Sequence, residues 1–95
     1  MEQYNIPEAF CSKLRLSILS SLVSRELYYT DMKKITSATD GNISIQLKKL
    51  LNWGYVEAEK KIRNDRLATL YRITPKGLKE FELYVEFLEG ILRRD

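Results

Sequence analysis

The 95-residue sequence contains no histidine and a single cysteine, Cys11. Histidine is the commonest general base and the commonest metal ligand in proteins, so its absence excludes a catalytic triad and a zinc finger. One cysteine cannot form an intrachain disulfide or a metal cluster, which is typical of a reducing compartment. The sequence also lacks a phosphate-binding loop and a nucleophile motif. We therefore expect that the protein is not an enzyme and that it binds no cofactor and no metal ion.

Long apolar runs are missing as well. No stretch approaches the roughly 18 apolar residues that a helix needs to cross a bilayer. The N-terminal segment MEQYNIPEAF contains neither a basic leader nor an apolar core for export. These features predict a cytoplasmic protein without a membrane partner. Because a chain of this length buries only one modest core, we expect residues 1–95 to form a single domain.

Charge is unevenly distributed along the chain. Residues 1–40 carry five basic and five acidic side chains, whereas residues 41–79 carry nine basic and three acidic ones. Residues 80–95 carry two basic and five acidic side chains. A basic middle beside an acidic end is expected of a protein with one face turned to a polyanion. A basic hairpin that is merely solvated gives the same distribution, so both interpretations stay open at this point.

The first third of the chain has helical spacing. A helix over residues 8–23 is predicted to start near Pro7, with Phe10 and Leu14 on its apolar arc. Cys11 lies on the same arc and is expected to be a buried small hydrophobe.

A short extended segment and a second helix follow. Residues 27–29 are predicted to be extended, and Thr30 is a candidate N-cap for a brief helix. Met32 and Ile35 are its predicted inward residues, and the helix is expected to end within residues 36–38.

A third helix is predicted over residues 40–53. It is capped by Thr39 or Asp40 and closed by Gly54 in a left-handed conformation. Its aliphatic residues share one stripe, with one exception. Ile45 lies about 160° from the centre of that stripe, among lysines and amides.

The next segments alternate with the period of a strand. Residues 55–62 and 68–74 are predicted to form a hairpin, because Asn64 and Asp65 between them tolerate turn dihedrals. The hairpin has a basic tip, formed by Lys60, Lys61, Arg63 and Arg66.

The last predicted helix covers residues 75–93, with Thr74 as its N-cap and Pro75 in its first turn. It carries two apolar stripes. One is the seam Leu78, Phe81, Val85, Leu88 and Leu92; the other is Tyr84, Phe87 and Ile91. One stripe can cover the core of the chain itself, and the second favours a copy of the same helix as partner. The predicted homodimer interface is therefore Phe10, Leu14, Tyr84, Phe87 and Ile91. Burial of both stripes within one chain is the alternative.

The order of these elements is that of a helix-turn-helix followed by a basic hairpin. A tight turn over residues 36–40 separates two short helices, and the second has a polar and basic outer face. In that geometry the second helix enters the major groove of duplex DNA. The hairpin would then reach flanking phosphates or the minor groove.

Three segments carry a resemblance to a known family. LRLSILSSL, TDGNISIQLKKLLNWGYVEAEK and ATLYRITPKG resemble the small winged helix-turn-helix regulators related to the MarR and ArsR groups, and the resemblance covers about residues 10–92. It implies a mainly α fold with a small β hairpin, made of a three-helix core, a wing and a long C-terminal dimerisation helix. The implied function is a dimeric, DNA-binding transcriptional regulator with recognition helix 40–53 and wing 62–68. Leu67 departs from the proline that many relatives have in the wing.

The resemblance also implies which residues meet DNA. On the recognition helix they are Thr39, Asn42, Ser44, Ile45, Gln46, Lys48 and Lys49, and in the wing they are Arg63 and Arg66, to which the basic tip adds Lys61. The amides of Asn42 and Gln46 can pair with adenine edges, and Ile45 can contact a thymine methyl group. The basic residues would neutralise phosphates without reading bases.

Two other functions remain open from the sequence. One is a protein-interaction module that holds a different protein through the stripe Tyr84, Phe87 and Ile91. The other is a binder of structured RNA. The sequence names no small-molecule effector, operator or direction of regulation.

Overall fold

The computed structural model describes residues 3–94. The elements are a 3-10 helix Glu8–Phe10, α1 Lys13–Leu22, β1 Leu27–Tyr28, α2 Tyr29–Thr36, α3 Asp40–Asn52, β2 Val56–Arg63, β3 Arg66–Ile73 and α4 Pro75–Arg93. This order confirms the predicted mainly α fold with a small β hairpin, in which three helices form the core and a long helix closes the chain.

The first predicted helix is interrupted. A 3-10 turn ends at Phe10, Ser12 is extended (φ −133°, ψ 130°), and α1 begins one residue later. The Ser12 hydroxyl accepts a hydrogen bond from the backbone N–H of Arg15 at 3.2 Å, which makes Ser12 an N-cap within the predicted helix. The prediction of one helix over 8–23 was therefore wrong. Cys11 lies at the break and is exposed, so its predicted burial was also wrong.

Helix α2 is short and only partly as predicted. It starts at Tyr29 with Tyr28 as its N-cap, and Ser37 ends it in the left-handed conformation (φ 57°). Met32 is fully buried, as predicted, but Ile35 is 46% exposed. With eight residues, the helix makes barely two turns; Met32 is its one buried residue, and Tyr29 packs partly buried against the core.

Helix α3 confirms its prediction closely. Ile43, Leu47 and Leu50 are at most 1% exposed and form the face turned to the core. The Thr39 hydroxyl caps the helix by accepting from the N–H of Asn42 at 3.2 Å. Gly54 has φ 80°, the left-handed conformation expected after the helix end.

The hairpin has the strands and the turn that the sequence predicted. The strands form an antiparallel sheet in the order β1-β3-β2, with Val56 opposite Ile73 at its base and Arg63 opposite Arg66 at its tip. Asn64 and Asp65 have φ values of 53° and 63°, the left-handed pair that a two-residue hairpin turn requires. Most of β2 beyond Val56 is exposed, so the hairpin projects from the body as a wing.

The start of α4 packs tightly against the body. Thr74 caps the helix by accepting from the N–H of Gly77 at 2.9 Å, and Pro75 occupies the first turn, as predicted. Gly77 is the one buried residue of α4. A Cβ atom at this position would meet the Tyr55 carbonyl oxygen well inside van der Waals contact and Ile73 Cγ1 at 2.9 Å, so the close approach requires glycine.

The rest of α4 extends beyond the body, and the molecule measures 55 × 24 × 21 Å. The seam assigned to the core of the chain is partly buried at Phe81, but Val85, Leu88 and Leu92 are 38%, 41% and 85% exposed. The apolar pattern of α4 was therefore correct, whereas the intrachain cover expected for its second half is missing from the described residues.

Candidate nucleic-acid interface

The outer face of α3 is polar and basic with one aliphatic side chain. Asn42, Lys48 and Lys49 are exposed, and Ile45 is 56% exposed between them. The inward residues of the same helix are buried, so the core fixes which face the helix presents. Four of the seven predicted α3 contacts thus form one open surface.

The N-terminal end of α3 is bound to α2. The Tyr29 hydroxyl donates to Asp40 Oδ1 at 3.1 Å and lies 3.2 Å from Ser44 Oγ. Lys33 Nζ lies 2.9 Å from Asp40 Oδ2. The hydrogen bonds from Lys33 and then Tyr29 hold the pKa of the Asp40 carboxyl below its ordinary value. These contacts fix the two helices of the helix-turn-helix relative to each other, and they engage the hydroxyl of Ser44.

Gln46 is less exposed than the sequence suggested. It is half-buried, and its Oε1 accepts a hydrogen bond from Arg15 Nη1 at 2.6 Å. Arg15 is only 6% exposed and was missed by the sequence analysis. The helical spacing could have indicated its burial. Arg15 lies three, four and seven residues before Ile18, Leu19 and Leu22, the other buried residues of α1, and therefore on the same face.

The wing carries the predicted basic residues in two different settings. Lys61 and Arg66 are exposed. Arg63 is folded back onto the body, where its Nη1 lies 3.1 Å from Asp31 Oδ2 and its guanidinium carbon lies 4.2 Å from the centroid of the Tyr28 ring. Arg63 therefore fastens the wing to α2 and β1.

The tip of the wing also has an apolar pair that the sequence analysis did not single out. Ile62 and Leu67 lie directly opposite each other in the ladder and are 69% and 67% exposed. The strand alternation placed Ile62 on one face, but only the register shows that Leu67 is its neighbour.

An acidic cluster marks the edge of the basic surface. Arg72 on β3 lies 2.6 Å from Glu59, 3.2 Å from Glu26 and 3.6 Å from Glu57. Its hydrogen bond holds the pKa of the Glu59 carboxyl below the ordinary value. Three carboxylates around one arginine disfavour a phosphate here, so the basic surface of the wing is confined to its distal part.

The predicted dimer residues fall into two groups. Phe10 is 4% exposed and stacks on Tyr84 of the same chain at a ring-centroid distance of 4.8 Å, so it belongs to the core and not to a surface. Leu14 and Tyr84 are partly buried against that core. The ring of Phe87 lies 4.9 Å from the ring of Tyr4, centroid to centroid, whereas Ile91 is 41% exposed.

An open groove of about 430 Å³ lies along α4. It is lined by Val23, Leu78, Phe81, Glu82, Val85 and Glu86.

Other kinds of site are not found in the part of the chain that the structure describes. No helix within residues 3–94 has the length and apolar character to cross a membrane. The same residues contain no group of three or more cysteine and acidic side chains placed to hold a metal ion.

Comparison with known proteins agrees with this geometry. Residues 14–92 match the family model of the winged helix DNA-binding domain. An uncharacterized protein of Methanocaldococcus jannaschii is 36% identical over 77 residues, which are 80% of this chain and 84% of that protein.

Solved structures show the same fold. A transcriptional regulator homologue from Pyrococcus horikoshii OT3 superposes with a TM-score of 0.82 at 26% identity, covering 90% of this chain and 85% of that one. A homodimeric winged helix-turn-helix DNA-binding domain from Mycobacterium bovis, a possible ArsR-family regulator, gives 0.74 at 24% identity, covering 90% and 76%. The chain therefore belongs to the winged helix DNA-binding domain family, and its fold is that of the MarR- and ArsR-like transcriptional regulators.

Proposed function

We propose that the protein is a homodimeric, sequence-specific regulator of transcription that places α3 in the major groove of duplex DNA. The observation that carries the proposal is the outer face of α3, where exposed amide and lysine side chains surround an exposed isoleucine. A helix with such a face, held by its opposite face to a helix-turn-helix core, fits the major groove. The protein would act by binding alone and catalyse no reaction.

The charges of this surface support contact with a polyanion. Within residues 3–94, no carboxylate lies within ion-pair distance of Lys48, Lys49, Lys61 or Arg66. A phosphate that approaches these groups displaces counterions from DNA and breaks no ion pair in the protein. Arg63 fastens the distal part of the wing to α2, the first helix of the helix-turn-helix, and Lys61 and Arg66 beside it would then meet flanking phosphates or the minor groove.

The second half of α4 supports a dimer. Val85, Leu88, Ile91 and Leu92 are between 38% and 85% exposed and lie along one side of the helix. An apolar surface of this extent is costly in water and is expected to be covered by a partner. The structurally similar protein of Mycobacterium bovis is a homodimer. A two-fold pair of recognition helices about 34 Å apart would meet successive major grooves of a pseudo-palindromic site.

Enrichment of bound fragments from a random duplex pool, with light scattering of the same sample, tests this function. We expect a pseudo-palindromic consensus bound by a dimer. A variant in which Lys48, Lys49 and Arg66 are all alanine should lower the slope of log affinity against log salt by about one per removed charge.

The matched control removes three exposed charges elsewhere, at Arg25, Lys79 and Arg93, and should leave that slope nearly unchanged. Absence of duplex binding even at low salt would overturn the proposal. Equal competition by duplex RNA would point to an RNA-binding function instead, and a monomer that binds one protein and no DNA would point to an interaction module.

A further inference from the structure

The guanidinium of Arg15 is held by three hydrogen bonds and one aromatic ring of its own chain. Its Nε donates to the carbonyl oxygen of Ala9 at 3.2 Å, and its Nη2 donates to that of Glu8 at 2.8 Å. The Glu8 carbonyl also accepts from the backbone N–H of Cys11 at 3.0 Å, so Arg15 is its second donor. The guanidinium carbon also lies 5.3 Å from the centroid of the Trp53 ring. With 6% exposure, Arg15 therefore has little freedom to turn.

The third contact of Arg15 reaches the outer side of α3. Its Nη1 donates to Gln46 Oε1 at 2.6 Å, the short distance of a charge-assisted hydrogen bond. Arginine has five N–H donors and no acceptor, so the atom of Gln46 that faces it must be the carbonyl oxygen. The NH₂ group of Gln46 consequently points away from the core.

The NH₂ group of Gln46 in turn donates a hydrogen bond, as Arg15 does to Gln46. Gln46 Nε2 donates to Asn42 Oδ1 at 3.5 Å, the long limit of a hydrogen bond. The carbonyl oxygens of both amides thus accept within the protein, which leaves the second N–H of Gln46 and the NH₂ group of Asn42 to donate outward. Arg15, Gln46 and Asn42 form a chain of hydrogen bonds that runs from the core to the exposed face of α3.

This direction changes the base that Gln46 can read. Pairing of a glutamine with adenine in the major groove uses both ends of the amide, with the carbonyl accepting from N6 and the NH₂ donating to N7. The carbonyl of Gln46 is turned toward Arg15, so the NH₂ end of the amide is the one left toward the groove. Guanine offers two adjacent acceptors, O6 and N7, and no donor at this edge.

We propose that Arg15 is a positioning residue for sequence recognition: by holding the carbonyl of Gln46, it makes this side chain a donor that selects guanine over adenine. The inference rests on the proposed function and assigns its specificity. It also replaces the adenine contact that the sequence suggested for Gln46.

Enrichment from a random duplex pool with the wild-type protein and Gln46→Ala identifies the base pair that Gln46 reads. We expect guanine at one position of each half-site, with a preference over adenine of about tenfold that Gln46→Ala abolishes. Selection of adenine by the wild type overturns the proposal while DNA binding stands. A consensus that does not depend on Gln46 also overturns it. If the wild type enriches no sequence, the proposed function fails together with this inference.

Gln46→Glu tests the direction of donation. The glutamate keeps an oxygen for Arg15 but replaces the outward NH₂ with an acceptor. The preferred base at that position should change from guanine to cytosine, whose N4 is a donor. Persistence of guanine contradicts the assigned orientation.

Arg15→Met tests the role of Arg15 itself. Methionine has a similar length but no donor, so the amide of Gln46 can turn, and adenine should bind within about threefold of guanine. The control Ser12→Ala removes the cap of α1 without removing the guanidinium, and should lower the melting temperature with unchanged base preference. If Arg15 only stabilised the fold, the wild type, Arg15→Met and Ser12→Ala would share one base preference, which would overturn the proposal. If Arg15→Met does not fold, the Gln46→Glu result decides.

Discussion

Helices α3 and α4 are both amphipathic, yet they differ in what covers their apolar side. The 13-residue α3 buries Ile43, Leu47 and Leu50 almost completely, whereas the 19-residue α4 buries only Gly77. The core of the chain covers α3, and α4 passes beyond that core after its first turns. An apolar stripe thus shows that a helix face must be covered, but it does not show whether the same chain provides the cover.

The largest expected effect comes from truncating a leucine on each helix. Leu47→Ala should lower the free energy of unfolding by about 3 kcal/mol, because the cavity forms in a closed core. Leu88→Ala should cost the isolated protomer less than about 1 kcal/mol, because Leu88 is already 41% exposed. Urea unfolding at a concentration where the protein is monomeric measures both.

Leu88→Ala should also weaken self-association, which light scattering over a dilution series reports. An equal loss of protomer stability for the two variants would show that the second half of α4 is packed on its own body, and the contrast between the helices would be lost.

Alanine substitutions at the two glycines of α4 test how tightly each end of this helix is packed. Gly77→Ala should destabilise the protein by about 2 kcal/mol, because the new Cβ meets the Tyr55 carbonyl and Ile73. Gly90→Ala should stabilise it by about 0.5–1 kcal/mol, since nothing lies within 4 Å of the added Cβ and alanine favours a helix. Thermal unfolding of both variants at low protein concentration provides the measurement. A destabilising Gly90→Ala would indicate a close neighbour at that end of α4.

Two alanine variants on the outer face of α3 separate phosphate contacts from base contacts. Lys49→Ala should lower the salt slope of DNA affinity by about one and weaken binding to all sequences alike. Ile45→Ala should leave the slope unchanged and relax the preference at one or two base pairs, because a methyl contact carries sequence information and no charge. Titrations of a consensus and a mismatched duplex at several salt concentrations separate the two effects. Uniform loss on both duplexes for Ile45→Ala would make it a simple packing residue.

The smallest expected effect concerns the anchored start of α3. The folded protein holds the pKa of Asp40 below its ordinary value of 3.8, so the folded state binds this proton less readily than the unfolded state. The stabilisation is present above the unfolded pKa and is lost as the pH falls below it. Asp40→Asn should therefore lower the urea midpoint slightly at about pH 7 but not at about pH 2.

Asp65→Asn is the matched control, since it removes the same charge at the hairpin turn, where asparagine adopts the same conformation. It leaves the contacts of Asp40 with Lys33 and Tyr29 in place, so it should not reproduce the loss at about pH 7. A pH-independent loss for Asp40→Asn would mean that the hydrogen-bond geometry of this side chain matters and its charge does not.

The sequence predicted those parts of the fold that local chemistry specifies. The bounds of α3 and α4, the cap at Thr74 and the turn at Asn64 and Asp65 follow from capping residues, turn residues and periodicity. The break before α1 was missed because serine is also tolerated inside helices, so Ser12 gave no distinct signal.

The candidate site was predicted at the level of its elements and less well at the level of side-chain contacts. The exposed positions of Asn42, Ile45 and Lys49 follow from helical geometry. The engagement of Gln46 by Arg15, and of Arg63 by Asp31, joins residues 31 and 32 positions apart in the chain. No local pattern encodes such pairs, because the same side chains would be read as solvated on any isolated helix or strand.

The attachment of Arg63 to Asp31 has a consequence for the thermodynamics of DNA binding. In the free protein, Asp31 already acts as the counterion of Arg63, at 3.1 Å. A phosphate that captures Arg63 must displace this carboxylate, so the DNA releases a cation while the protein uncovers an anion that attracts one. The two exchanges oppose each other. We expect Arg63 to contribute less to the salt dependence of binding than the exposed Arg66, although both belong to the same wing.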